Sequence, residues 1–299
     1  MKNILKTYGL SKTYGNHNAV KDLNITIPKS SVFAILGPNG SGKSTTLGML
    51  LQSLKPSSGH FEWFDKKPES NDLKEIGAML EQPKFYMHLN AMDNLFIVAR
   101  IKKVPYDGIE ESLKKVGLFD RRFDTVKTYS MGMRQRLGIA AAIFHGPKAL
   151  ILDEPTNGLD PEGINDVRNL IIDLSKNGLS IILASHLLNE VEMVSSHVCI
   201  LSKGICVYQG SMSELKKTNE KIFQLGSSNL ENLRIALLEF NKLNKIEIHK
   251  SGNYLVVHFS KDVKLEDISN FLSGKDVFLT HFIEQQFTLE EKFIEILKK

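Results

Sequence analysis

The sequence predicts an α/β fold, a largely parallel β-sheet with helices on both faces, followed by a smaller α+β unit. Three observations carry this. Apolar runs of strand length at 31–37, 149–153 and 179–185 alternate with longer segments of helical periodicity, the pattern of strands joined by crossover helices. The first run opens into a glycine-rich loop that leads directly into a helix. Beyond about residue 220 the order changes to β-α-β-β-α-β.

In chain order, the strand SVFAILG (Ser31–Gly37) ends in the loop GPNGSGKST. The helical stripe of Leu47, Leu50, Leu51 and Leu54 follows and stops before Pro56. The text from about Asn90 to Pro147 is mostly helical, including the alanine-rich LGIAAAIF, and reads as an inserted helical subdomain at about 82–148. The strand ALILD (Ala149–Asp153) precedes a helix near Ile164–Lys176, and LSIILAS (Leu179–Ser185) is the next strand. HVCILSKG and ICVYQG form two short β runs either side of a glycine turn. Composition shifts near Lys217, which divides the chain into domains at 1–218 and 219–299. The second domain reads KIFQL (strand), NLENLRIALLEF (helix), KIEIH (strand), a turn at Ser251–Asn253, YLVVHF (strand), LEDISNFL (helix) and VFLTHFI (strand). This is the order of a ferredoxin-like unit with one extra helix, whose apolar face is Leu289, Phe293, Ile296 and Leu297 and whose start is a Thr288–Glu291 capping box. It is expected to be a packed accessory domain.

Composition narrows the function classes. With 299 residues, 42% hydrophobic and 24% charged, the chain has the make-up of a soluble globular protein with room for one large domain or two ordinary ones. A net charge of +4 is too mild to imply nucleic acid, and no nucleic-acid partner is expected. Cys199 and Cys206 sit in or beside an apolar strand without ligand-spaced histidines, which favours buried thiols over metal ligands. The start lacks the apolar core of a signal peptide, and no stretch approaches the ~20 apolar residues of a membrane span. A cytosolic location is expected, with any membrane role borrowed from a partner.

The chemistry concentrates in two segments. LILDEPTNGLDP (Leu150–Pro161) ends an apolar run in adjacent carboxylates, Asp153 and Glu154, with Asp160 six residues on. Such acids repel one another unless a cation lies among them. The loop Gly37-Pro38-Asn39-Gly40-Ser41-Gly42-Lys43-Ser44, continued by Thr45, fits G-x-x-x-x-G-K-[ST] between a strand and a helix. Its glycines let backbone N–H groups wrap a phosphate, and the helix N-terminus adds a favourable dipole. Lys43 is placed to reach the β- and γ-phosphates and Ser44 to ligate Mg²⁺. Asp153, ending its strand, belongs at the second protein ligand of that ion. Glu154 points elsewhere and suits a base that activates the attacking water. ATP and Mg²⁺ are the expected cofactors. Ser130, at the head of a helical run, reads as an N-cap, and Gly132 leaves backbone open to a phosphate.

Over about residues 3–215 the chain resembles the ATP-binding cassette (ABC) family, a P-loop NTPase cassette. The resemblance rests on the phosphate loop, the signature segment YSMGMRQR (Tyr129–Arg136), ILDEPTNGLDP and Ser185–His186 after a final strand, all in the family's order. It implies an ATPase subunit whose two cassettes pair head to tail, one subunit's phosphate loop facing Ser130 and Gly132 of the other. It also implies that Tyr14 stacks on adenine, Asp160 lies in the loop meeting the opposing subunit, and His186 touches the γ-phosphate. A separate transmembrane permease is then the partner, with this subunit peripheral on the cytoplasmic face of the membrane. The signature departs from the usual Leu-Ser-Gly-Gly-Gln, though the serine and second glycine remain. In IGAMLEQPKFYMHL, Glu81 occupies the position where the family has a magnesium-binding glutamine, unless the register slips by one and Gln82 takes that role. Glutamate followed by Pro and Phe-Tyr resembles cassettes of bacitracin- and lantibiotic-type exporters, which implies export of, or immunity to, a peptide antibiotic or similar amphiphile. The alternative is a soluble ABC-type ATPase acting on ribosomes or DNA, which usually carries two cassettes or a coiled-coil insertion, neither of which is present. A GTPase lacks support, because Asn241–Asn244 reads NKLN without the aspartate that guanine recognition needs.

Overall fold

The strand-forming residues of the first sixty positions build a sheet that the sequence pattern did not reveal. In the computed structural model, β1 (Asn3–Tyr14) pairs antiparallel with β2 (His17–Leu23), β3 (Thr26–Pro28) and β5 (Ser58–Trp63). Irregularities at Leu10–Thr13 and Asn3–Leu5 break its two-residue period, so no clean alternation marks it in the sequence. The structure describes residues 2–69, 72–81, 83–217, 220–248, 252–285 and 289–298. Gln82, the 218/219 boundary, Ser251 of the expected turn and Thr288 of the expected capping box lie outside the described residues.

The second sheet has the order β10-β9-β4-β8-β7-β6, comprising β4 (Val32–Leu36), β6 (Ile76–Met79), β7 (Ala149–Asp153), β8 (Ser180–Ser185), β9 (His197–Ser202) and β10 (Ile205–Ser211). All its pairings are parallel except the β9–β10 edge. Every residue of β4, β7 and β8 is buried, as expected of strands covered on both faces. Because Leu36 lies opposite Ser185 and Asp153 opposite Ala184, the C-terminal ends of β4, β7 and β8 finish side by side. The crevice beyond such ends is where open α/β sheets bind ligands.

Helix α1 (Lys43–Leu50) is shorter than its leucine stripe suggested. The chain turns at Gln52 (φ +57°), the Leu54 N–H bonds the Gly48 carbonyl at 3.0 Å, and the Leu54 side chain folds back over Gly48. Leu51 and Leu54 thus pack on the core from outside the helix. The inserted segment supplies α2 (Ala91–Lys102), α3 (Ile109–Lys115) and α4 (Met131–Ile143). Helices α5 (Pro161–Lys176) and α6 (Leu188–Val194) flank β8, and a short α7 (Met212–Leu215) follows β10. No helix of the described residues is long and apolar enough to cross a membrane.

The inserted segment also encloses two basic groups. Burial lowers the pKa of Lys102, whose Nζ donates to the Ala141 carbonyl at 3.4 Å. Burial, reinforced by the charge of Lys102, holds His145 at about 4. An unfolded histidine titrates near 6.5, so the unfolded chain gains its proton first as pH falls. His145 therefore contributes nothing adverse above about pH 6.5 and removes stability as pH falls from there towards 4. With allowance for partial solvent access, native stability is expected to drop by about 1–2 kcal/mol between pH 7 and pH 5 through this group. Urea unfolding of native and His145→Gln chains at the two pH values checks this, and the variant should lose that part of the slope.

The chain divides into two compact units, Met1–Met212 with Glu295–Lys299, and Ser213–Ile294. In the second, β11 (Glu220–Ser227), α8 (Leu230–Leu238), β12 (Leu243–Ile248), β13 (Leu255–Ser260), α9 (Leu265–Ser273) and β14 (Leu279–Gln285) occur in that order. The sheet order is β12-β13-β11-β14 with every pairing antiparallel. That is the split β-α-β arrangement of ferredoxin-like folds. Phe223, Leu225, Val257 and Phe259 face α8 and α9, and Phe240 meets Phe259 edge-on at 5.5 Å. Helix α10 (Leu289–Lys298) closes the chain. Cys199 and Cys206 are free thiols on β9 and β10, with Sγ atoms 3.1 Å apart and Cys199 buried in the core.

Candidate functional site

The loop between β4 and α1 is shaped by two glycines that admit no side chain. A Cβ at Gly37 would fall 2.4 Å from the Leu201 carbonyl, and one at Gly42 (φ +104°) would fall 2.5 Å from the Ala19 carbonyl. The loop therefore closes tightly over the ends of the strands. Lys43 is buried at the first turn of α1, and its Nζ donates to the Gly37 carbonyl at 2.9 Å and the Pro38 carbonyl at 3.4 Å. The same nitrogen lies 3.7 Å from Glu154 Oε1. The ammonium thus lies across the loop, between its carbonyls and the acid of β7's end.

Asp153 and Glu154 diverge, and the backbone explains why. Asp153 is 3% exposed at the end of β7 and shares a hydrogen bond with the Ser44 hydroxyl. Among the described residues its buried Oδ1 has no hydrogen-bond partner. Burial raises its pKa, the Ser44 hydroxyl opposes the rise, and the neighbouring Glu154 charge adds to it. A carboxylate oxygen left bare beside a hydroxyl suits a hard divalent cation. Glu154 breaks out of the strand with φ +48°, its N–H bonded to the Ala184 carbonyl at 2.9 Å. A non-glycine residue there costs roughly 1–2 kcal/mol, and the turn carries the carboxylate away from Asp153 towards β8. Glu154 Oε2 lies 2.9 Å from His186 Nδ1 and accepts from the Ser185 hydroxyl at 3.3 Å. A carboxylate oxygen accepts, so His186 Nδ1 is the donor of this contact. Glu154 Oε1 faces Lys43.

A cavity of ≈ 610 Å³ opens over this group, lined by Tyr14, His17 and Ala19, by Asn39, Gly40 and Gly42–Thr45, and by Glu81, Gln135, Asp153, Glu154 and Asn157. Of the residues expected from sequence, Tyr14, most of the phosphate loop, Asp153, Glu154 and Glu81 meet there. Tyr14 is 47% exposed, with Lys12 Nζ 5.1 Å from its ring centroid. Glu81, at φ +54°, raises the Asp153 pKa slightly by its charge, so the two acids face a common space. Gly37, Pro38 and Ser41 are not part of the lining, and among the described residues the buried Ser41 hydroxyl has no partner.

Ser130 and Gly132 are not brought to this cavity. Ser130 caps α4, its hydroxyl accepting from the Met133 N–H at 3.2 Å, and remains exposed. A Cβ on Gly132 would meet nothing nearer than 3.8 Å, so this helix start is open on its outer side. Asp160 caps α5, accepting from the Gly163 N–H at 3.0 Å. Sequence reasoning missed His17, Ala19, Gln135 and Asn157 as lining residues. Of these, only His17 had a local signal, its place opposite Tyr14 across the β1–β2 turn.

The ABC transporter family model matches residues 20–157. The bacitracin transport ATP-binding protein BcrA of Bacillus licheniformis is 38% identical over 305 residues, covering 99% of this chain and 98% of that one. The lantibiotic transport ATP-binding protein SrtF of Streptococcus pyogenes is 38% identical over 230 residues, 77% of this chain and 95% of SrtF. A dimeric ATP-binding cassette solved in a post-hydrolysis state with ADP and Pi superposes with a TM-score of 0.61 at 25% identity, covering 70% of this chain and 99% of that one. With the glycine loop, the paired acids and the parallel sheet that holds them together, the chain belongs to the ABC transporter family, as an ATP-binding and ATP-hydrolysing subunit.

Proposed function

We propose that this subunit powers export of, or immunity to, a membrane-active peptide antibiotic or similar amphiphile, through a separate membrane-spanning partner at the cytoplasmic face. The observation that carries this reading is end-to-end similarity to a bacitracin transport protein, which extends through the accessory unit as well as the cassette. Two copies pair head to tail on ATP, each presenting Ser130 and the open Gly132 backbone to the nucleotide on the other. The exposed N-cap and the clear space beside Gly132 support that role. Tyr14 stacks on adenine. Lys43 leaves its carbonyl partners for the β- and γ-phosphates.

Ser44, Asp153 and Glu81 would hold Mg²⁺, and the bare Asp153 oxygen is the feature that favours this. When bound, the ion supplies charge neutralisation at the β- and γ-phosphates. Glu154 accepts the proton of the attacking water, at the Oε1 that Lys43 uncovers when it moves to the phosphates. His186 holds Oε2 through Nδ1 and touches the γ-phosphate. The C-terminal unit takes no part in this chemistry.

Expression of the chain with its membrane-spanning partner, in a sensitive bacterial host, tests the reading. Tolerance of bacitracin or of a lantibiotic should rise, and Glu154→Gln should abolish the gain. Unchanged sensitivity to both peptide classes, with ATPase activity intact, overturns the cargo assignment.

A further inference from the structure

Behind the Glu154–His186 contact lies a group of residues that the chemistry above does not use. Arg168, on α5, forks onto Glu190, on α6, with Nε to Oε2 at 3.1 Å, Nη2 to Oε1 at 3.0 Å and Nη2 to Oε2 at 2.9 Å. The two side chains are 23% and 20% exposed, so the pair is half-buried and little screened. Bidentate guanidinium–carboxylate pairs of this kind fix orientation as well as proximity.

What the fork holds is helix α6, which also packs on α5, β4 and β8. It has seven residues, and its N-cap Leu187 offers no side-chain hydrogen bond. A helix this short is not stable alone, so its position depends on tertiary contacts. Val191 provides a buried one and Glu190 an ionic one. The loop entering α6 is Ser185–Leu187. Its Ser185 hydroxyl donates to Glu154 Oε2 at 3.3 Å and accepts from the Leu187 N–H at 3.0 Å. His186 is therefore suspended between Glu154 on one side and the start of α6 on the other. A small void beside the fork is lined by Pro155 and Thr156, which follow Glu154, and by Ser185, which precedes His186. The same fork thus backs both loops that carry the reacting groups.

We infer that the Arg168–Glu190 pair is a positioning device for ATP hydrolysis, fixing α6 so that His186 and Ser185 keep the Glu154 carboxylate oriented. It acts through His186 and touches no substrate. Arg168 lies two helical turns beyond Asp160, the N-cap of α5, so the device also ties the start of that helix to the histidine loop. The inference rests on Glu154 as the water-activating group.

The test is steady-state hydrolysis and nucleotide binding by full-length Arg168→Met, Glu190→Gln and Arg168→Lys chains. For Arg168→Met and Glu190→Gln, kcat should fall roughly tenfold, the scale of a lost orientation, with KM for ATP held within about twofold. Arg168→Lys should recover only part of the loss, because an ammonium cannot fork. In a His186→Ala background, Arg168→Met should cost nothing further. An unchanged kcat in these variants overturns the inference, and so does a loss that adds in full to that of His186→Ala. Should Arg168→Met fold poorly, Arg168→Lys in both backgrounds decides the matter, since it keeps the charge and the aliphatic stem. A native rate in Glu154→Gln would sink the Glu154 assignment itself, separately from these outcomes.

Discussion

Glu154→Gln is expected to bind ATP as the native chain does and to hydrolyse it at least ~10²-fold more slowly, the scale of a lost general base. The amide keeps the shape of the side chain and an oxygen that can accept from Ser185 and His186, so the loop geometry survives. The backbone bond to Ala184 is untouched. What disappears is the proton-accepting carboxylate and its charge opposite Lys43. Titration with a fluorescent ATP analogue and single-turnover phosphate release separate the two properties. Hydrolysis within a few-fold of native would move the role of base to another residue.

Ser130→Arg should abolish hydrolysis while leaving nucleotide affinity of the single chain nearly native. Ser130 is exposed, stands apart from the cavity that holds Lys43 and Glu154, and contributes one cap bond to α4. Loss of that cap costs about 0.5–2 kcal/mol of stability, which a thermal melt will register without unfolding the chain. In the head-to-tail pairing proposed above, a long cationic side chain at the helix start occupies the space where the other copy's γ-phosphate docks. The expected pattern is a normal binding isotherm with background ATPase. Native hydrolysis by this variant would show that each site is complete within one chain.

The parts of this molecule legible in its sequence are those whose physics is local. A phosphate loop between a buried strand and a helix announces itself, because glycine spacing and strand burial are written in adjacent residues. That Asp153 and Glu154 point in different directions was legible. The left-handed φ of Glu154 that separates them was not, since nothing nearby encodes it. β1 escaped notice because its irregular pairing with three neighbours erases the two-residue period. The end of α1 was misplaced because Leu54 packs on the same core from a turn, which mimics one more helical step. Arg168 and Glu190 are 22 positions apart on separate helices, and only the packing of α5 on α6 brings them together. Lys102 gives no sign of burial in IKK, where a solvated face is the default reading. Gln135 reaches the cavity only because α4 returns against the sheet, which no local pattern states.

The claim that two chains close on ATP through a shared site is tested most directly by the mass of Glu154→Gln in solution, by light scattering with and without Mg²⁺ and ATP. A single chain is 33.6 kDa. The expected result is that mass without nucleotide and a doubling with it, reversed when Ser130→Arg is added to the same chain. A particle that stays at one chain's mass while saturated with ATP, or a doubling that survives Ser130→Arg, would contradict it.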